Sequence, residues 1–346
     1  GQQSGPISEN DPVIGFSPNG SDFDPERELQ DAIALAEEVR RRADAQVLEN
    51  KFYEQARDAL TEKGLDYENP LRLEDGFKTF KRRWIDTELK REGLERAEQW
   101  GWTNTYTYTK SIGEQVTLKR ADEAGVPCTI VRPAIVETSR YFPFPGWNEG
   151  VNTCAPIVYI YWKGQRFTPS NPDNILDVVP VDYVCRGTLA AGAALMHGRH
   201  KRVYQFSSGD HRPLPMHRAL ELTNLAWRKR YDRDEKNLVK RHILRNLDSV
   251  PMSREKYDRI SAPAVGKAAK GLRKLLGGIP GPLLGPARPV VKQTQKALKG
   301  LEKGAAMADT ILTLFAPFIL HNNPIFSSAN SRELGAMLVP EERETF

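Results

Sequence analysis

An α/β fold that passes into a mainly helical C-terminal part is what this 346-residue sequence predicts, on three observations. A helical pattern that closes at Gly125 is followed by the β-branched run Val126-Pro-Cys-Thr-Ile-Val-Arg-Pro133, the helix-then-strand order of α/β proteins. The short apolar centre of Asp177-Val-Val-Pro-Val-Asp182 leads into a small-residue helix, Tyr183 to Leu195, and then into the strand-like Val203-Tyr-Gln-Phe-Ser-Ser-Gly209. After Arg212 strand signals cease, and the chain turns helical and basic.

Taken in order, residues 1 to 25 are rich in Gly, Pro, Ser, Asn and Asp and read as a loop. Asp24-Pro25-Glu26 opens a helix with an N-cap aspartate and proline at the first helical position. Leu29, Ile33, Ala36 and Val39 keep helical spacing, and the pattern extends to Leu60 before Gly64. The Arg40-Arg41-Arg42 run is flanked by Glu37, Glu38 and Asp44, so it reads as a solvated helix face and not as a nucleic-acid patch. A second charged helix spans Leu73 to Gln99. In the next helix Ile112 and Val116 stand one turn apart, and Gly125 is placed as its C-cap. The aromatic and apolar run Ile157-Val-Tyr-Ile-Tyr-Trp162 reads as a strand ended by Lys163-Gly164.

Within Asn104-Thr-Tyr-Thr-Tyr-Thr-Lys110, one helical turn places the Tyr106 phenol beside the Lys110 ammonium. A fixed positive charge favours a phenolate, which makes such a tyrosine a better proton donor near neutrality. The spacing alone has little specificity: with 11 tyrosines a second match occurs at Tyr159 and Lys163. If residues 157 to 162 form a strand, positions four apart lie about 13 Å from each other and cannot cooperate. Tyr106 is therefore the candidate acid, and Tyr159 is packing or substrate wall.

With 39% hydrophobic residues the chain can bury a large core, and its net charge of +5 permits contact with anionic partners without naming one. Cys128, Cys154 and Cys185 are too few and too far apart for a disulfide framework or a zinc site, and fit a reducing cytoplasm. The six histidines lack metal-ligand spacing, so no metal is expected. No segment reaches the ~18 apolar residues of a membrane span; the nearest, Ala305 to Leu320, carries Asp309 and Pro317. From Val265 to Gly304 nine Lys or Arg face one acid, Glu302, a composition suited to peripheral contact with an anionic membrane or to a solvated connector.

Several separated motifs, in order, carry a family resemblance: NTYTYTKSIGEQ, VPCTIVRPAIVETS, FPFPGWNEG, APIVYIYWKG, DVVPVDYV and FAPFILHNNPIFSSANSREL. Together they resemble the alcohol-forming fatty acyl-CoA reductases, extended short-chain dehydrogenase/reductases with an added helical domain. The resemblance implies part of a Rossmann-like reductase domain over 1–210 and a helical C-terminal domain over 211–346. It implies NADPH-dependent reduction of a long-chain fatty acyl-CoA through an aldehyde to the alcohol. Tyr106 would be the proton donor, and Lys110 the residue that binds the nicotinamide ribose and tunes the tyrosine. Pro133, Ala134, Ile135 and Val136 would line the nicotinamide, while Gly146 and Trp147 would build substrate-pocket wall.

The sequence departs from that family in one large respect. A strand followed by a Gly-x-x-Gly-x-x-Gly turn, whose amides hold the cofactor pyrophosphate, is not present; Gly277-Gly278, Gly281 and Gly285 are interleaved with proline and read as connector glycines. The Ser or Thr with which the family polarises the carbonyl is also missing. The expectation is thus an N-terminally truncated enzyme. A thioester reductase acting on carrier-bound acyl chains, a sugar-nucleotide epimerase or dehydratase, and an inactive interaction module are the rival readings.

Overall fold

The computed structural model describes residues 4–11, 13–150, 153–279 and 285–343. Two compact units divide near Cys128/Thr129, one formed by residues 11–128 and the other by 2–10 with 129–346. The boundary that the resemblance implies, 210/211, lies inside the second unit, and Gly281 lies outside the described residues.

The first unit is helical: α1 (Pro25–Arg42), α2 (Gln46–Glu62), α3 (Pro70–Gln99) and α4 (Thr105–Glu123). Asp24 caps α1 as expected, its carboxylate accepting from the Glu26 and Arg27 amides at 3.0 and 3.3 Å. The pattern expected to run unbroken to Leu60 instead divides at Ala43–Ala45. No local breaker stands there; the bend lets Phe52 and Ala56 pack on α3, where Phe52 and Phe77 meet edge-on at 6.2 Å. The approach needs glycine, since a Cβ at Gly76 would stand 2.8 Å from that of Ala56. Of the arginine run, Arg40 and Arg41 are exposed, Arg41 pairing with Glu38, whereas the half-buried Arg42 pairs with Glu92 of α3. Phe23, Ala97, Trp102, Tyr108, Ile112 and Val116 form the core between the helices.

The second unit contains the described strands, and the four strand pairs among them are parallel. β1 (Ser4–Ile7) pairs with β8 (Asn323–Phe326), β2 (Ile130–Pro133) with β6 (Val203–Phe206), β3 (Ile135–Glu137) with β5 (Val178–Pro180), and β4 (Phe167–Pro169) with β7 (Val250–Met252). Parallel neighbours need crossovers. Helix α6 (Val181–Met196) lies in the crossover from β2 to β6, following β5, while α5 (Ala155–Trp162) precedes β4. This is the α/β class that the sequence predicts. All four residues of β6 are buried, and its Phe206 packs so closely on α6 that a Cβ at Gly187 would fall 2.5 Å from the ring.

Three expectations are corrected here. Residues 157–162 are helical, not extended: Pro156 at the helix start and Gly164, at φ +103°, after its end bound an 8-residue apolar helix, too short for its periodicity to distinguish helix from strand. Strand β1 lies in the stretch read as loop. Strands β7 and β8 lie in the part read as wholly helical. In both cases the pairing partner is remote in sequence, Ser4 standing opposite Asn323 and Phe167 opposite Val250.

The C-terminal helices α7 (Met216–Asp234), α8 (Leu238–Arg245), α9 (Arg254–Ile260), α10 (Ala262–Gly277) and α11 (Arg288–Ala316) are followed by a π-helical turn, Pro317–His321, then α12 (Ala329–Ala336) and α13 (Pro340–Arg343). The π turn absorbs Pro317, whose carbonyl accepts from the Asn322 amide at 3.1 Å. The helix therefore runs unbroken over Arg288–His321, 34 residues, long and apolar enough to cross a membrane by length and composition. That corrects the expectation that no segment reaches such a length. One face of it belongs to the protein core: Ala308, Leu312 and Ile319 are buried with Ile160, Tyr161, Leu220, Trp227 and Tyr257.

Candidate active site

Helix α4 starts where Asn104 caps it, its side-chain oxygen accepting from the Thr107 amide at 2.8 Å. The register this sets divides the two tyrosines of the TYTYTK run. Tyr108 turns inward to join Ile112, Gln115 and Val116, while Tyr106, Lys110, Gly113 and Thr117 form one exposed stripe. Tyr106 is 68% exposed, and the Lys110 ammonium lies over its ring, 5.9 Å from the centroid. The phenol and ammonium are thus neighbours on an open face.

Tyr108 donates its hydroxyl to the Glu28 carboxylate, which also accepts from Arg96 Nε at 2.6 Å and from a terminal nitrogen at 2.9 Å. Burial, and then the Glu28 negative charge, push the Tyr108 phenol well above its ordinary value. Tyr108 is thereby a structural tyrosine. Gln115, fully buried, accepts from the Gly15 amide at 2.9 Å and donates to the Phe16 carbonyl at 2.9 Å, tying the N-terminal loop to α4.

The second tyrosine–lysine match has the same local geometry. On α5 the Lys163 ammonium lies 5.4 Å from the Tyr159 ring centroid and 4.6 Å from that of Trp162. Because the run is helical, Tyr159 and Lys163 are neighbours and not about 13 Å apart as in a strand. What separates the pairs is burial: Tyr159 is partly buried against the core of the second unit, in agreement with the packing role, whereas Tyr106 is open.

The segment Pro133–Val136 belongs to the second unit and occupies a place where the chain changes strand partners. β2 runs along β6 as far as Pro133, opposite Phe206; the Ala134 amide donates to the Phe206 carbonyl at 2.9 Å; then the Ile135 amide donates to the Asp177 carbonyl at 3.1 Å as β3 turns to β5. The chain thus passes from one two-stranded parallel sheet to another at Ala134. Pro133 is exposed, and Ala134, Ile135 and Val136 are half-buried, so the segment can line a flat ring.

Beyond β3 the chain forms a closed loop. Ser139 donates its amide to the Trp147 carbonyl at 3.1 Å, Gly146 returns a bond to the Ser139 carbonyl at 2.9 Å, and the Ser139 hydroxyl holds the Phe144 carbonyl at 2.6 Å. Gly146 sits at φ +85°, which glycine adopts freely. Trp147 is half-buried, while Tyr141, Phe142 and Phe144 are exposed. The loop is anchored by Asp182, in the first turn of α6, whose carboxylate accepts from the Arg140 amide at 3.0 Å and the Tyr141 amide at 2.8 Å. Burial would raise the Asp182 carboxyl, but these amides outweigh it and hold the group below its usual value. Sequence reading missed this anchor; the acid in DVVPVD, at a helix start, was its only signal.

The late NNPIFSSANSREL motif also has a structural explanation. Asp210 accepts from the Ser328 amide at 2.8 Å, the Ser328 hydroxyl at 2.7 Å and Arg332 at 2.7 Å, fixing α12 beside the end of β6.

Comparison with known proteins bears on this arrangement. Residues 31–188, which include α4, the switch segment and the Asp182 anchor, match the NAD-binding family model described as Male sterility protein. The chain is 38% identical over 177 residues to "Fatty acyl-CoA reductase 2, chloroplastic" of Arabidopsis thaliana, covering 49% of this chain and 28% of that protein. It is 35% identical over 133 residues to "Alcohol-forming fatty acyl-CoA reductase" of Simmondsia chinensis, covering 38% and 27%. Over these stretches the chain is similar to fatty acyl-CoA reductases. The matched stretch is of the Rossmann-like, NAD-binding type. "Fatty acyl-CoA reductase 2" of Homo sapiens matches at 35% identity over 120 residues, 34% of this chain and 23% of that protein. The chain thus spans little more than a quarter of the first two relatives.

Proposed function

We propose that this chain provides part of an NADPH-dependent reductase that converts a long-chain fatty acyl-CoA to the fatty alcohol through an aldehyde. The observation that supports it most is the match of residues 31–188, which include Tyr106, Lys110 and Pro133–Val136, to the NAD-binding family model. Those residues fit the nicotinamide end of the cofactor; the glycine-rich phosphate cradle is not in this sequence. A bound reduced nicotinamide supplies the hydride.

In this reading Tyr106 gives its hydroxyl proton to the oxygen of the carbonyl being reduced, which otherwise bears the developing negative charge. Lys110, one turn away, stabilises the tyrosinate left behind and holds the cofactor ribose. The Pro133–Val136 backbone orients the nicotinamide. Trp147 and the Gly146 turn, with the exposed rings of Tyr141, Phe142 and Phe144, provide apolar surface for the acyl chain. The preference for NADPH over NADH, the two-step course to alcohol and peripheral membrane contact through 265–304 belong to the same proposal.

The test is an assay of this chain, alone and within its native polypeptide, with palmitoyl-CoA and NADPH, following nicotinamide oxidation and fatty alcohol by gas chromatography. Acyl-CoA-dependent oxidation that is lost in Tyr106→Phe is the expected result. Turnover only with acyl-carrier-protein thioesters would replace the substrate class, and full turnover in Tyr106→Phe would remove the assigned acid.

A further inference from the structure

Helices α10 and α11 lie side by side in the second unit, and between them opens a cleft of about 500 Å³ lined by Arg273, Gly277, Lys292, Gln295, Lys296 and Lys299. We propose that this cleft is a binding site for a phosphorylated ligand bearing two or more negative charges.

The charge arrangement is the first reason. Lys292, Lys296 and Lys299 follow each other at four and three residues, so one face of α11 presents all three ammonium groups. Like charges at that spacing disfavour the helix that bears them. Of the four cations lining the cleft, Arg273 has a carboxylate beside it, Glu302 at 3.0 Å. That pair fixes the guanidinium at the wall, and among the described residues no carboxylate pairs with the three lysines.

The shape is the second reason. Gly277 leaves its side of the cleft open: a Cβ there would have only the Gln295 amide nitrogen near it, at 3.7 Å. The Gln295 amide is half-buried and can donate to an anionic oxygen. Ammonium, guanidinium and amide donors around one concave space are what a phosphate group requires.

Two sources share this chemistry, the phosphates of coenzyme A and the headgroup of an anionic lipid. The lipid source is compatible with exposed Leu275, Val290 and Leu301 on the same two helices, which supply apolar surface. The coenzyme source rests on the proposed reductase reading, and the lipid source on the membrane contact through 265–304 proposed with it.

The experiment compares the unaltered chain with Lys292→Gln/Lys296→Gln/Lys299→Gln and with Lys63→Gln/Lys236→Gln/Lys256→Gln, an equal charge change at exposed lysines elsewhere. Calorimetric titration uses coenzyme A; co-sedimentation uses phosphatidylcholine vesicles with and without phosphatidic acid. Thermal melting checks that the three proteins are equally folded. Affinity about tenfold lower in the cleft variant than in the control variant, for either probe, supports the site and names its source. Loss with coenzyme A alone assigns the nucleotide; loss with phosphatidic acid vesicles alone assigns the membrane. Equal binding by the two variants, or no binding of either probe by the unaltered chain, overturns the proposal. Because binding is read without turnover, an inactive protein with an intact cleft would count against the reductase reading only.

Discussion

The Tyr108 hydroxyl is buried against the Glu28 carboxylate, while Tyr106, two residues earlier on the same helix, stands in solvent beside Lys110. The two tyrosines should therefore separate stability from turnover. Tyr108→Phe removes a hydrogen bond to a charged group and should cost about 1–3 kcal/mol. Tyr106→Phe should change stability by less than about 0.5 kcal/mol, as exposed sites do. Thermal melts of both variants, set beside their reductase activity, check this; the reverse pattern would show that the assignments are exchanged.

The same contact implies alkaline lability. The folded-state value of Tyr108 is raised, so its contribution is complete below the ordinary tyrosine value of about 10 and is lost as pH rises from there through the folded value. Melting temperature should fall above that pH, and the fall should be smaller in Tyr108→Phe.

Asp182 predicts an effect at the opposite end of the scale. Its carboxyl is held low by the Arg140 and Tyr141 amides despite burial, so its stabilisation is present above the unfolded value, about 3.9, and is lost as pH falls through the lower folded value. Asp182→Ala should reproduce the acid effect at neutral pH, freeing the loop. Tryptic cleavage after exposed Arg140 should become faster, while unrelated sites are unaffected.

Gly187 faces the ring of Phe206, with no room for a methyl group. Gly187→Ala should destabilise the second unit by about 1–3 kcal/mol through overpacking. Adding Phe206→Leu should recover part of the loss, and a strictly additive double variant would refute the steric cause.

The two lysine partners give a test of the catalytic assignment. Lys110→Met should lower kcat/KM by about 10²–10⁴, whereas Lys163→Met, on the packed α5, should leave it near the starting value. Comparable losses would mean that the tyrosine–lysine motif had been placed on the wrong helix.

Much of this protein was determined by sequence acting locally. Asp24 and Pro25 start α1 because a capping carboxylate and a preset φ suffice there without help from elsewhere. The strands around Val131 and Val178, and the helix containing Tyr106, are likewise legible from β-branching, periodicity and caps. Only the tertiary structure decided the rest. Ser4–Ile7 becomes a strand because Asn323–Phe326 lies beside it, and Ala155–Trp162 is a helix though its apolar run suits either form. The TYTYTK run contains both tyrosines at equal cost to the helix; the placement of Glu28 and Arg96 decides that Tyr108 is the buried one. Local chemistry chooses elements, whereas burial and pairing are shared between distant residues, and it is these that leave Tyr106 exposed beside Lys110.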